Sequence, residues 1–298
     1  MSSSNSTVMN SPAATDAAEV RGPRHRPNLA SAVWRRIAGA DPVVQLGRVA
    51  VLLGGLALWT VAVDNGWVLR LYAATPDETF GRLVSLLREP SFWVNVRITL
   101  LESLAGWGIG SGLGLLAGLV LGRWRKLAQV FDPYLTFLNA TPKIALAPFF
   151  ILWFGIDQPS KIALATTIVF FIVQVPTQAA VAMVQPDLNL VATTMGATEM
   201  QKFRMVVLPG IMTAVFGALR LAAVYSLLAV VLGEFIAARQ GLGQQLITST
   251  NQFDMATAFA LLIVLAGLAV SINSVIGLVE RRLLRWRSWE TGQRSISL

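Results

Sequence analysis

The sequence predicts an all-α membrane protein of about six transmembrane helices with both termini cytoplasmic. Hydrophobic residues make up 54% of the 298 and charged residues only 13%, against roughly 25% charged in an average soluble domain. The few charges are spaced so that long uncharged runs remain, and a helix needs about 20 mostly apolar residues to cross a ~30 Å hydrocarbon core. If six spans alternate across the bilayer, sixteen of the 24 basic residues fall on one side. Positive residues favour the cytoplasmic side, so that side also holds both termini. Helices are the economical choice because a backbone in lipid must satisfy its own hydrogen bonds.

The same distribution decides what the formal charge of +8 means. A basic chain with a pI near 10.7 could bind nucleic acid. Here the basic residues sit in clusters between apolar runs, at Arg21–Arg48, Arg123–Lys126, Lys202–Arg204 and Arg281–Arg294, which is the pattern of membrane sorting. The absence of cysteine excludes disulfides, thiolate metal sites and cysteine nucleophiles. The single histidine, His25, lies beside two arginines in a polar stretch without ligand partners, so no metal site is expected.

Residues 1–45 read as a disordered to interfacial cytoplasmic tail, rich in Ser, Ala, Pro and charge and lacking the apolar core of a secretory signal. Its end, "LASAVWRRIAGA", could lie at the interface as a short amphipathic helix. A membrane domain over 46–286 and a cytoplasmic tail over 287–298 complete the chain. The first span has its uncharged core at Val49–Val63. An outer loop follows, in which Phe80, Leu83, Val84 and Leu87 form a helical stripe bracketed by Pro76 and Pro90.

The second span, "GWGIGSGLGLLAGLVLG", repeats glycine every four residues at Gly106, Gly110, Gly114, Gly118 and Gly122, with Gly108 and Gly112 as a second row. Small residues at this spacing let two helix backbones approach in lipid, so the row reads as a packing seam. The third span, "PYLTFLNATPKIALAPFFILWFGI", starts at Pro133 and is interrupted at Pro142 and Pro148. Each proline removes a helical hydrogen bond and clashes with the preceding turn. Interrupted helices at membrane depth pack on protein or line a wet cavity. Pro142, Lys143 and Pro148 are therefore the candidates for lining a translocation pathway, although Lys143 could equally snorkel or cap freed carbonyls.

The fourth span covers Ile162–Pro186, the fifth runs from Leu208 past Arg220, and the sixth covers Met255–Val279. Glu102 and Arg220 read as interfacial or paired. Glu234 opens an outer segment, "EFIAARQGLGQQLI", whose glycines suggest a re-entrant turn.

Between the fourth and fifth spans, "DLNLVATTMGATEMQKFRMVVLPG" (Asp187–Gly210) is amphipathic. Asp187 is a good N-cap, and Leu188, Val191, Ala192 and Met195 follow at i, i+3, i+4 and i+7 on one face. Gly196 stands where a left-handed residue would end that helix, followed by Ala197. Thr198 and Gln201 have capping-box spacing, with Glu199 in the favourable first turn, and Leu208-Pro209 enters the fifth span. So short a helix is unstable alone and needs a surface to pack on: its own bundle, the bilayer, or a groove on a soluble partner.

This segment resembles the signature loop of binding-protein-dependent ABC importer permeases, E-A-A-x3-G-x9-I-x-L-P. Gly196 aligns with the glycine, Ala192 with the second alanine, Val206 with the isoleucine position, and Leu208-Pro209 with the ending. Leu190 replaces the glutamate and Val191 the first alanine; Asp187 or Glu199 could substitute for the acid. "RITLLESLAGWGIG" resembles the family's T-L-x-R-x3-G segment, with Glu102 at the usual arginine. "TPKIALAPFFILWFGIDQPSK" is similar to the P-x2-A-x2-P-x4-W-F-G-x5-K block of the sulfonate, nitrate and taurine branch. "GALRLAAVYSLLAVVLGEFIAARQGLGQQLI" is similar to its G-x-R … E … G-L-G-x-L-I block.

The resemblance implies a MetI-like permease bundle whose 186–210 loop is a coupling helix held by a cytoplasmic ABC ATPase dimer. It implies an extracytoplasmic solute-binding protein, a homodimeric permease and a small, often anionic solute such as a sulfonate, taurine or nitrate. ATP would be bound by the partner, since no G-x4-G-K-[ST] loop occurs here. The chain itself would be no enzyme and would carry no cofactor. A stand-alone secondary transporter or channel is the alternative, weakened by the scarcity of intramembrane acids and the lack of an internal repeat.

Overall fold

The computed structural model describes residues 42–184 and 191–284. The tails and the start of the 186–210 loop, including Asp187 and Leu188, lie outside the described residues. The described elements are helices: α1 Pro42–Asp64, α2 Pro76–Leu86, α3 Pro90–Arg123, α4 Arg125–Ala140, a 3-10 turn Lys143–Leu146, α5 Ala147–Phe154, α6 Gln158–Ala182, α7 Glu199–Lys202, a π turn Phe203–Val207, α8 Leu208–Ile236, α9 Leu242–Asn251 and α10 Met255–Leu283. Five stretches are long and apolar enough to cross a membrane, and the pair α4 with the turn and α5 makes a sixth if counted as one bent span.

The part of α1 up to Ala57 forms a unit by itself, and the remainder of the chain from Leu58 forms the second. α1 begins already at Pro42, where proline suits the first helical turn.

Within the second unit α3, α6 and α8 are the packed centre. α3 is 34 residues long, about 51 Å at 1.5 Å per residue, so it exceeds the hydrocarbon thickness and carries polar residues near both ends. Glycine lets α6 approach it along one edge. A Cβ built on Gly106 would lie 2.5 Å from the Ala165 Cβ, on Gly110 2.7 Å from the Thr166 carbonyl oxygen, and on Gly114 2.5 Å from the Phe170 oxygen. On Gly118 it would lie 2.6 Å from the Thr177 Cβ and on Gly122 2.6 Å from the Val181 Cβ. Gly108 and Gly112 face open space instead, so the second row contributes nothing to this contact. Trp107 Nε1 donates to the Leu219 carbonyl (3.0 Å) and Ser226 Oγ to the Ser103 carbonyl (2.7 Å), tying α8 to the same helix.

α2 shows a full capping box between Thr75 and Glu78. The Thr75 N–H donated to the Glu78 carboxylate holds that group below the usual carboxylate range. Its buried face is Thr79 and Leu86, whereas Phe80, Val84 and Leu87 are exposed. The stripe read from the sequence is thus rotated: only Leu83 of it joins the core, because Arg82 turns toward α10 to donate to Thr257 Oγ1 (2.8 Å) while pairing with Glu89 (2.8 Å). Leu86 and Phe92 pack with Leu242, Leu246, Leu261 and Leu265, joining α2, α3, α9 and α10.

The third span differs from expectation at two prolines. Pro133 lies inside α4, which starts already at Arg125. Pro148 stands in the first turn of α5, where its missing N–H costs nothing. The break is at Pro142, the cap of the 3-10 turn, and the two helices bend there by 84°. Pro142 disfavours the helical conformation of the residue before it, and Thr141 is extended with ψ 134°.

Candidate functional site

Two sites are built by these helices, one at each end of α3. At the Arg123 end, residues 191–194 are helical. Gly196 has φ +78°, its N–H donates to the Thr193 carbonyl (3.0 Å), and the Ala197 N–H donates to the Ala192 carbonyl (2.9 Å). That pair of bonds is the Schellman arrangement, which needs a left-handed residue at Gly196 and favours glycine there.

The chain restarts at once. Thr198 and Gln201 exchange both capping-box bonds, opening α7 at Glu199. The π turn Phe203–Val207 follows, and Pro209 stands in the first turn of α8. A proline inside a continuous helical stretch cannot donate to the preceding turn, and the widened turn immediately before it is where the helix absorbs that loss.

Val191 and Met195 are exposed, at 54% and 81%, as are Met200 and Met205. Ala192 and Ala197 are half-buried, and Gly196, Glu199, Leu208 and Pro209 are exposed. Glu199 is bonded on both sides: it pairs with Arg123, just at the end of α3, and with Lys202 (2.8 Å). Beneath this clasp Val181, Val207, Ile211 and Val215 are buried together, with Phe203 packed against them. The segment is therefore fixed on one side to α3, α6 and α8 while its apolar residues Val191 and Met195 face away.

Lys143 sits at the bend. Its ammonium donates to the Asn139 carbonyl (2.6 Å) and Asn139 Oδ1 (3.1 Å), capping the last turn of α4, and lies 4.7 Å over the ring of Phe171. Pro142 caps the short 3-10 turn on one side of it, and Pro148 stands beyond it in the first turn of α5.

The opposite end of α3 holds a buried polar cluster that sequence reasoning had scattered. Glu102, placed by that reasoning near a span end, is only 2% exposed, and Glu234 is fully buried in the last turns of α8 rather than opening a loop. Lys161 is 3% exposed inside α6. Glu234 accepts hydrogen bonds from Thr99 Oγ1 (2.7 Å) and the Gly243 N–H (2.6 Å), and the Leu242 N–H donates to the same Thr99 oxygen (2.9 Å). Asn95 accepts from the Gly241 N–H (2.9 Å) and donates to Gln245 (3.1 Å). This network pins the re-entrant loop and α9 onto α3 and α8. Glu102, Lys161 and Glu234 each occupy the polar position of a separate motif quoted above, which marks each residue without bringing the three together.

Arg220 pairs with Glu280 of α10, and Gly277 leaves the room its guanidinium needs. Among the described residues no group of His, Cys, Asp or Glu is placed to hold a metal ion.

Residues 110–285 match the family of binding-protein-dependent transport system inner membrane components. The riboflavin transport system permease protein RibX of Chloroflexus aurantiacus is 30% identical over 243 residues, 82% of this chain and 91% of its own length. An aliphatic sulfonates transport permease protein of Bacillus subtilis is 28% identical over 233 residues, 78% of this chain and 84% of its own. A solved chain of the MetNI methionine ABC transporter in an inward facing conformation superposes with a TM-score of 0.56 over 66% of this chain and 97% of that one, at 22% identity. With five or six apolar spans, a MetI-like helix arrangement and the family match over residues 110–285, more than half its length, the chain belongs to the binding-protein-dependent ABC transport permeases and is a multi-pass inner-membrane protein.

Proposed function

We propose that this chain is the transmembrane subunit of an ABC importer and that the 186–210 segment is the handle through which an ATPase dimer drives it. The observation that carries this reading is the turn at Gly196. It ends one short helix and starts another while leaving Val191 and Met195 exposed, and Glu199 anchors the segment to α3. An apolar stripe with a polar rim suits a small separable protein interface. ATP is hydrolysed on the partner, and this chain contributes the path and the moving helices. A homodimer with the path along its axis, fed by an extracytoplasmic solute-binding protein, completes the assembly. The cargo is a small solute of the sulfonate, taurine or nitrate type, or a similar small organic anion. Pro142, Lys143 and Pro148, at the 84° bend, are the proposed pathway residues.

Co-expression of the chain with its ATPase tests the reading. Gly196→Val forces a β-branched residue into a left-handed backbone, and co-purification with the ATPase is expected to be lost while the membrane domain remains folded. Unchanged assembly and solute uptake in that variant would overturn the coupling role. Uptake into liposomes driven by an ion gradient, with no ATPase present, would favour a stand-alone transporter instead.

A further inference from the structure

At the end of the helices opposite the coupling segment lies a cavity of about 430 Å³, lined among others by Glu102, Asp157, Lys161, Arg239 and Gln240. We propose that this cavity binds one organic cationic group, an ammonium or guanidinium, against the carboxylate of Glu102.

The charge and hydrogen-bond inventory leads there. Two carboxylates, Glu102 and Glu234, are buried beside a single ammonium, that of Lys161. Glu234 is satisfied by Thr99 and the Gly243 N–H. Lys161 donates to the carbonyls of Ile156 and, at 3.1 Å, Asp157, so two of its three donors hold the loop before α6. Glu102 Oε2 is buried without a hydrogen-bond partner. A buried carboxylate oxygen left unpaired is costly, and a positively charged donor in the cavity would satisfy it.

The surroundings set its class. Glu102 and Asp157 line the cavity opposite Lys161 and Arg239; Lys161 is engaged with the loop carbonyls, so the acceptor left open is Glu102. Arg239 lines the same cavity from an exposed position, so an entering cation meets like charge there. The volume suits a head group with its carbon stem, and ligand sets for a bare metal ion are missing among the described residues. A guanidinium can meet a carboxylate with two parallel hydrogen bonds, which favours it over a point-like ammonium.

Calorimetric titration of methylguanidinium into the full chain in lipid nanodiscs tests this, with N-methylurea as the neutral isostere. Methylguanidinium is expected to bind saturably, one per chain, and N-methylurea is not. Glu102→Gln should weaken binding at least tenfold, and Arg239→Ala, an exposed position, should strengthen it several-fold by removing the rival cation. No saturable methylguanidinium binding, equal binding of N-methylurea, or unchanged affinity in Arg239→Ala overturns the proposal, as does unchanged affinity in a folded Glu102→Gln protein. The assay contains neither ATPase nor transported solute, so its failure leaves the coupling role standing.

Discussion

The carboxylate of Glu234 stands in the space that a side chain on Gly241 or Gly243 would fill. A Cβ on Gly243 would lie 2.7 Å from its Oε2 and 2.8 Å from the Val231 carbonyl, and a Cβ on Gly241, where φ is +122°, would collide with the carboxyl group itself. The acid in α8 and the two glycines of the following loop are thus one device. The glycines give the carboxylate access to backbone N–H groups, and the carboxylate fixes the loop.

Gly243→Ala should therefore destabilise the protein by about 1–3 kcal/mol through overpacking against a group that cannot retreat. Thr99→Val should have a comparable effect, because it removes the hydroxyl shared by Glu234 and the Leu242 N–H. Thermal unfolding in detergent micelles reads both. A midpoint equal to that of the unaltered protein in either variant would mean the loop is held by other contacts.

The glycines of α3 divide into two sets that stability measurements can separate. Gly114→Ala meets the Phe170 carbonyl and the Val173 side chain and should cost about 1–3 kcal/mol. Gly112→Ala meets nothing within 4 Å and should be neutral or stabilising by up to about 1 kcal/mol, since alanine is the better helix former. Equal effects at the two positions would deny that the seam is one-sided.

At the Arg123 end of α3, Arg123→Glu should leave unfolding unchanged, because the Glu199 pair is exposed and exposed ion pairs add little. It should nonetheless lower ATPase-dependent uptake by misplacing the segment. The charge-swapped double variant, Arg123→Glu with Glu199→Arg, should restore uptake. Uptake that is insensitive to both changes would dissociate Glu199 from coupling.

Lys143→Met removes the cap on α4 and the contact with Phe171 and should cost about 1–2 kcal/mol. If Lys143 also faces the solute path, the variant loses uptake beyond what its lower abundance explains. Uptake in proportion to abundance would restrict Lys143 to its capping role.

Much of this was legible in the residues. Runs free of charge gave the spans, since hydrocarbon admits little else, and Thr198 with Gln201 and Gly196 announced a helix–turn–helix because their local chemistry leaves few alternatives. The four-residue glycine period identified a close contact but not its partner. Only the position of α6 shows that Gly106 through Gly122 serve it while Gly108 and Gly112 do not. Prolines were read less well, because Pro133 and Pro148 have the same local restriction and opposite placements. The buried cluster was hidden most completely. Glu102, Lys161 and Glu234 are far apart in sequence, and nothing in a linear run of letters says that three helices turn them to one point.

The close approach of α3 to α6 has a mechanical corollary. From Gly106 to Gly122 the two helices touch backbone to backbone over about 24 Å at 1.5 Å per residue, with no long side chains between them to bend or slip. They form a stiff double rod, and a rod moves as a whole. A tug at Arg123 arrives at Glu102, one turn beyond the far end of the seam, without being dissipated on the way, so the two clusters it joins are mechanically in register.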